Sequence, residues 1–209
     1  MVSDAAAYSR TRLLRGRVLL LWLLLIAAMA MAAGPLSIET LALRSGFLAL
    51  AMGLLRLWDD LADLSRDRRE HPERVLVNSD NLRPFILVLV IGLLLVPLAF
   101  PGDDRRLISY GCLLIGLALL YHGPAGRRLP RPQRSYLVLV KYPVLIFLAG
   151  APASGRGLLT GLGLYLLLGL YEWWHDDGMR QTPRAQVFVS GMTGLLLVSV
   201  VLWPNGAWL

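Results

Sequence analysis

Four aspartates stand close together in this chain: Asp59, Asp60, Asp63 and Asp67, in the run Asp59-Asp60-Leu61-Ala62-Asp63-Leu64-Ser65-Arg66-Asp67-Arg68-Arg69-Glu70. Carboxylates this dense repel one another, so a cation is expected to hold them. Asp60, Asp63 and Asp67 are spaced i, i+3, i+7 and share one face if the preceding helix runs on through them, with Asp59 flanking. Mg²⁺ takes hard oxygen ligands and is commonly bound by one or two carboxylates together with substrate phosphates. Arg66, Arg68 and Arg74 lie alongside, and guanidinium forks match phosphate oxygens. The chemistry implied is metal-assisted handling of a diphosphate. Pro72 is expected to stop the helix near Glu70 or His71, leaving Arg74 on a loop that folds back over the site. Glu70 and Glu73 read as surface residues. A solvated loop with i, i+4 ion pairs is the competing account.

A second acidic cluster follows another apolar run: Glu172-Trp173-Trp174-His175-Asp176-Asp177. Glu172 and Asp176 are four apart on one helical face, Arg180 continues that face, and Asp177 is adjacent. They are candidates for a second metal site, against the alternative of a polar helix end. Aromatic residues gather nearby: Trp58, Tyr121, Tyr171, Trp173 and Trp174. They form an interfacial belt, or their ring faces stabilise a carbocation left when diphosphate departs. Tyr121 and Tyr171 suit the second role best. His122 and His175 are candidate acids, bases or phosphate donors, or simply solvated. Lys141 lies inside an apolar run, where ionisable groups are costly. It either snorkels to the surface or lines a cavity and meets phosphate, and Pro143 is placed to kink its helix. Glu39 and Arg44 have no assigned role.

The elements that must position these groups are apolar. The 209 residues are 56% hydrophobic, with a mean hydropathy of +0.58, which points to an integral membrane protein. A helical span takes roughly 20 residues. Seven candidates appear at about 18–34, 37–57, 84–101, 106–122, 135–151, 157–174 and 185–203. Arginines concentrate before the first and after the second, fourth and sixth, which sets the N-terminus and both acidic clusters on the cytoplasmic side. The formal charge of +7 therefore reads as topology and lipid contact, not as a nucleic-acid surface. Cys112, the single cysteine, excludes an internal disulfide or zinc framework and is expected to be buried among apolar neighbours. The first apolar run is expected to be retained as a span, and residues 1–209 read as one domain.

Taken together, the residues resemble the UbiA superfamily of intramembrane prenyltransferases. Asp59-Asp60-x-x-Asp63-x-x-x-Asp67, then Pro72 and Arg74, is similar to that family's first signature. Tyr121-His122-Gly123-Pro124 with Arg127 and Arg128 resembles its segment after the fourth helix, and Glu172-x-x-x-Asp176-Asp177 its second acidic signature. The resemblance implies an all-α polytopic membrane bundle of about seven transmembrane helices around a central cavity. It implies Mg²⁺-dependent transfer of a prenyl group from a polyprenyl diphosphate to a small acceptor, on the way to a quinone or terpenoid. Asp59, Asp60, Asp63 and Asp67 would hold one metal, and Glu172, Asp176 and Asp177 another. Arg66, Arg68, Arg74, Tyr121, Arg127, Arg128, Lys141, Tyr171 and Arg180 would line the substrate site. A bacterial inner membrane is the expected location, and homo-oligomer formation stays open.

The chain departs from the family pattern in three places. Seven spans stand where the family has nine, His122 stands where it has Ser, and the second signature lacks its last Asp. A membrane terpene cyclase that uses prenyl diphosphate alone, and a non-catalytic membrane protein of the same fold, are the alternatives. A CDP-alcohol phosphotransferase is disfavoured, because Leu64 follows Asp63 where that family requires Gly.

Overall fold

The computed structural model describes residues 2–175 and Gly191. Among them every regular element is a helix. A short α1 (Val2–Tyr8) runs into a π-helical turn over Ser9–Leu13. The long apolar α2 (Gly16–Ala33) follows and stops at Gly34, whose φ of 81° no β-carbon-bearing residue adopts readily. Ser37 caps α3 (Ile38–Ala62) by accepting a hydrogen bond from the Thr40 amide at 3.2 Å. The chain does not run straight through the aspartates. It breaks at Asp63 (φ −90°, ψ 2°) and restarts as α4 (Leu64–Glu70), which ends at His71 just ahead of Pro72.

A single turn, α5 (Val75–Asn78), leads to α6 (Arg83–Leu95) and a 3₁₀ extension over Val96–Ala99. Asp103 caps α7 (Asp104–His122) through the Arg106 amide at 3.1 Å. After the short α8 (Pro124–Arg128), the fifth apolar run is two helices rather than one: α9 (Arg131–Leu139) and α10 (Lys141–Leu148). Pro143 explains the break. It has no amide to donate to Leu139 four residues earlier, and its ring crowds that carbonyl. The last described helix is α11 (Gly155–His175).

α10 lies at the centre and packs against α2, α3, α7 and α11, while α6 packs on α3 and α1 on α5. Leu145, Ile146 and Leu148 of α10 are almost fully buried together with Leu25, Met29, Leu48 and Leu166. Two sets of contacts define the ends of the bundle. At one end Arg44 of α3 donates to the Gly150 carbonyl at 3.2 Å beside Met29 of α2. At the other, the last turns of α3 and α7 meet the first turn of α10. The acidic cluster sits at this second end.

The outward faces are oily. Leu20, Leu23, Leu94, Leu98, Ile108, Ile115 and Leu158 are each more than half exposed. α2 and α3 are long and apolar enough to cross a membrane. Among the described residues the other expected spans do not meet that measure of length and hydropathy. α7 opens on Asp104-Arg105-Arg106, the fifth run is divided at Val140, and α6 with its extension reaches only Ala99. The seventh run, 185–203, lies outside the described residues apart from Gly191.

Candidate functional site

Each of the four aspartates has a cationic partner of its own, supplied by a different part of the chain. Asp59, on the last turn of α3, accepts a hydrogen bond from the Tyr121 hydroxyl of α7 and pairs with the Lys141 ammonium of α10. Lys141 does not snorkel: it is 2% exposed and ends at this carboxylate. Asp60, one residue on, points to the other side of α3. Arg12 grips it with both prongs of its fork, Nε lying 3.0 Å from Oδ2, and the Tyr8 hydroxyl donates to Oδ2 at 2.9 Å. The hydrogen bond to Asp60 holds the Arg12 guanidinium above its usual pKa, and burial does the same for the Tyr8 phenol.

Asp63, at the helix break, pairs with Arg66 at 2.7 Å and reaches Arg134 at 4.0 Å. Burial pushes its carboxyl up, against the pull of Arg66 and Arg134, and the nearby charges of Asp59 and Asp67 add to the rise. Asp67 is buried in an ion pair with Arg74, which does fold back as Pro72 requires. Its Oδ1 meets Arg74 at ion-pair distance but without hydrogen-bond alignment.

The expected single face of Asp60, Asp63 and Asp67 is therefore divided. The break at Asp63 brings Asp60 and Asp67 to one small pocket, with Tyr8, Arg12, Arg74, Val75 and Leu76. Asp63 and Asp59 look elsewhere. That pocket is about 10 Å³, room for about one water-sized occupant and too little for a diphosphate.

The remaining sequence candidates are distributed as follows. Arg68 is exposed on α4 and Arg128 on α8, and Arg127 also lies on α8. Tyr171 is 38% exposed and stacks on His175 at 4.1 Å. Trp58 approaches His122, with 3.5 Å between the indole and imidazole nitrogens. Glu172 is half-buried, and its charge acts on Tyr136 and Tyr142. Asp59, Arg56 and Lys141 act on the same Tyr142. Asp176, Asp177 and Arg180 lie outside the described residues. Cys112 is exposed, contrary to expectation, on the wall of an apolar cleft. Its turn of α7 faces outward between α10 and α11.

That cleft, about 710 Å³, lies between α7, α10 and α11. Leu113, Pro143, Phe147, Gly161 and Tyr165 line it, and it extends from Val140, the neighbour of Lys141, to Ala153. The Pro143 break thus does leave space at the side of the bundle.

Among the described residues no three His, Cys, Asp or Glu side chains gather to hold a metal ion. Asp60 and Asp67 put two carboxylates, the oxygen donors that Mg²⁺ takes, on one pocket, where Arg12 and Arg74 already pair with them.

Sequence reasoning passed over Tyr8 and Arg56 and counted Arg12 and Arg134 only as loop charge. Arg56 carried a usable signal. It is an ionisable residue in an apolar run, three and four positions before Asp59 and Asp60. No protein-family model matches the chain, and neither curated proteins nor solved structures provide a match.

Proposed function

We propose that this is an integral membrane enzyme of about seven spans. In this reading it transfers a prenyl group from a polyprenyl diphosphate to a small acceptor at the cytoplasmic face, with Mg²⁺. The observation that carries the reading is the cluster of interleaved carboxylates and cations at one end of an apolar helix bundle, with an apolar cleft that starts at Val140, the neighbour of Lys141, and runs from there to Ala153. A polar head and a hydrocarbon tail on one ligand would need these two environments side by side.

In this reading the cations exchange partners. Arg12, Arg74 and Lys141 would leave their aspartates for phosphate oxygens, and the released Asp60 and Asp67 would be the residues to hold the metal. Mg²⁺, when bound, neutralises the departing diphosphate. The allylic C–O bond breaks and its electron pair leaves with the diphosphate. The acceptor then forms the new C–C bond and gives up a proton. Tyr121 is suited to face the developing cation: Arg134 already stands 5.8 Å above its ring. The prenyl tail would lie in the cleft beside Pro143 and Tyr165. Glu172, with Asp176 and Asp177, would hold the second metal, and Arg180 would add to the phosphate site.

The purified protein should be incubated with Mg²⁺ and a panel of prenyl diphosphates, with and without aromatic acceptors, and its lipid-soluble products read by mass spectrometry. Prenylated acceptor is expected, with a loss of about a hundredfold or more for Asp60→Asn and Asp67→Asn. A cyclic product from donor alone means the cyclase. One observation favours a second reading: each aspartate already has its own cation. In a non-catalytic membrane protein the pairs would be latches between helices, and no donor would be consumed.

A further inference from the structure

Arg56 is a cation in the acidic neighbourhood that balances none of its carboxylates. Asp59 has Lys141, Asp60 has Arg12, Asp63 has Arg66 and Arg134, and Asp67 has Arg74. Arg56 lies one helical turn deeper on α3, three residues before Asp59 and four before Asp60. Its Nε is buried with no hydrogen-bond acceptor. A buried donor left unmatched is destabilising, and native structures keep such groups where something else is served.

The Arg56 charge acts on Tyr8, which donates to Asp60, and on Lys141 and its neighbour Tyr142. Arg12 is matched by Asp60 and Lys141 by Asp59, while Arg56 forms an ion pair with neither. The donors around Arg56 are guanidinium, ammonium and phenol. Every one of them gives a hydrogen bond to an anionic oxygen.

We propose that Arg56 is a phosphoryl-binding residue at the floor of the site, holding the anionic head of the ligand from the membrane side. This rests on the prenyl diphosphate reading for the identity of that head. An anionic lipid headgroup would offer the same phosphoryl chemistry, so the test has an arm for each.

Inorganic pyrophosphate is titrated by calorimetry into wild type, Arg56→Gln and Arg56→Lys, purified in a phospholipid-free detergent, with Arg83→Gln as a surface control. Wild type and the control are expected to bind alike, with Arg56→Gln about tenfold weaker or more and Arg56→Lys between them, because the ammonium keeps the charge and loses the fork. Equal affinity in wild type, Arg56→Gln and Arg56→Lys overturns the Arg56 assignment alone. No binding by wild type overturns the diphosphate reading. The second arm measures thermal stabilisation by phosphatidylglycerol micelles. A shift with that lipid that is lost in Arg56→Gln, with no response to pyrophosphate, keeps Arg56 as a phosphoryl site and gives it to a headgroup. Where Arg56→Gln does not fold, Arg56→Lys decides: affinity indistinguishable from wild type removes Arg56 from the site.

Discussion

Lys141 is 2% exposed and its ammonium ends on Asp59. Taking away one member of a buried pair leaves the other charge uncompensated, at a cost of about 3–5 kcal/mol. Lys141→Met is therefore expected to melt well below wild type in detergent, toward the lower end of that range because the Asp59 side chain keeps 24% of its surface in solvent. The double variant Asp59→Asn/Lys141→Met is expected to regain most of the loss. An unchanged melting temperature in the single variant would show that the pair does not tie α3 to α10. The residue types at this site were legible in the chain: carboxylates at helical spacing, arginines beside them, and a lysine at depth. Their partners were not. Asp59 and Lys141 are 82 positions apart and Asp60 and Arg12 are 48. No local pattern encodes which carboxylate receives which cation, and Arg12 looked like any loop arginine.

Elements were readable to within a few residues where hydrophobic runs were unbroken, as in α2, α3 and α7. They were misread where a local interruption outweighed the run. Pro143 divides α9 from α10, and the turn at Asp63 divides α3 from α4, with Asp60 and Asp67 lining one pocket whose lining does not include Asp63. A further element-level constraint lies at the turn after α10. Gly150 has φ of 106°, and a β-carbon there would lie 2.6 Å from the Arg44 guanidinium carbon. Gly150→Ala thus meets backbone strain and a steric conflict together and is expected to cost about 1–3 kcal/mol. In an Arg44→Ala background the same change should cost less, because only the strain remains. Equal penalties in both backgrounds would mean that Arg44 does not constrain this turn.

At the scale of the whole molecule, apolar side chains on α2, α6, α7 and α11 point outward among the described residues, and α2 and α3 are long and apolar enough to cross a membrane. The chain is expected to stay in the membrane pellet after an alkaline carbonate wash and to need detergent for release. Recovery in the wash would remove the membrane reading, and with it the place proposed for a prenyl tail.

The narrow space beside Asp60 and Asp67 has a kinetic consequence. Tyr8 and Arg12 occupy its rim, and both belong to the segment ahead of α2. A diphosphate would wait for that segment to lift. Its capture would follow the frequency of a local opening rather than the collision rate, level off at high concentration, and quicken as added salt loosens the Arg12–Asp60 grip.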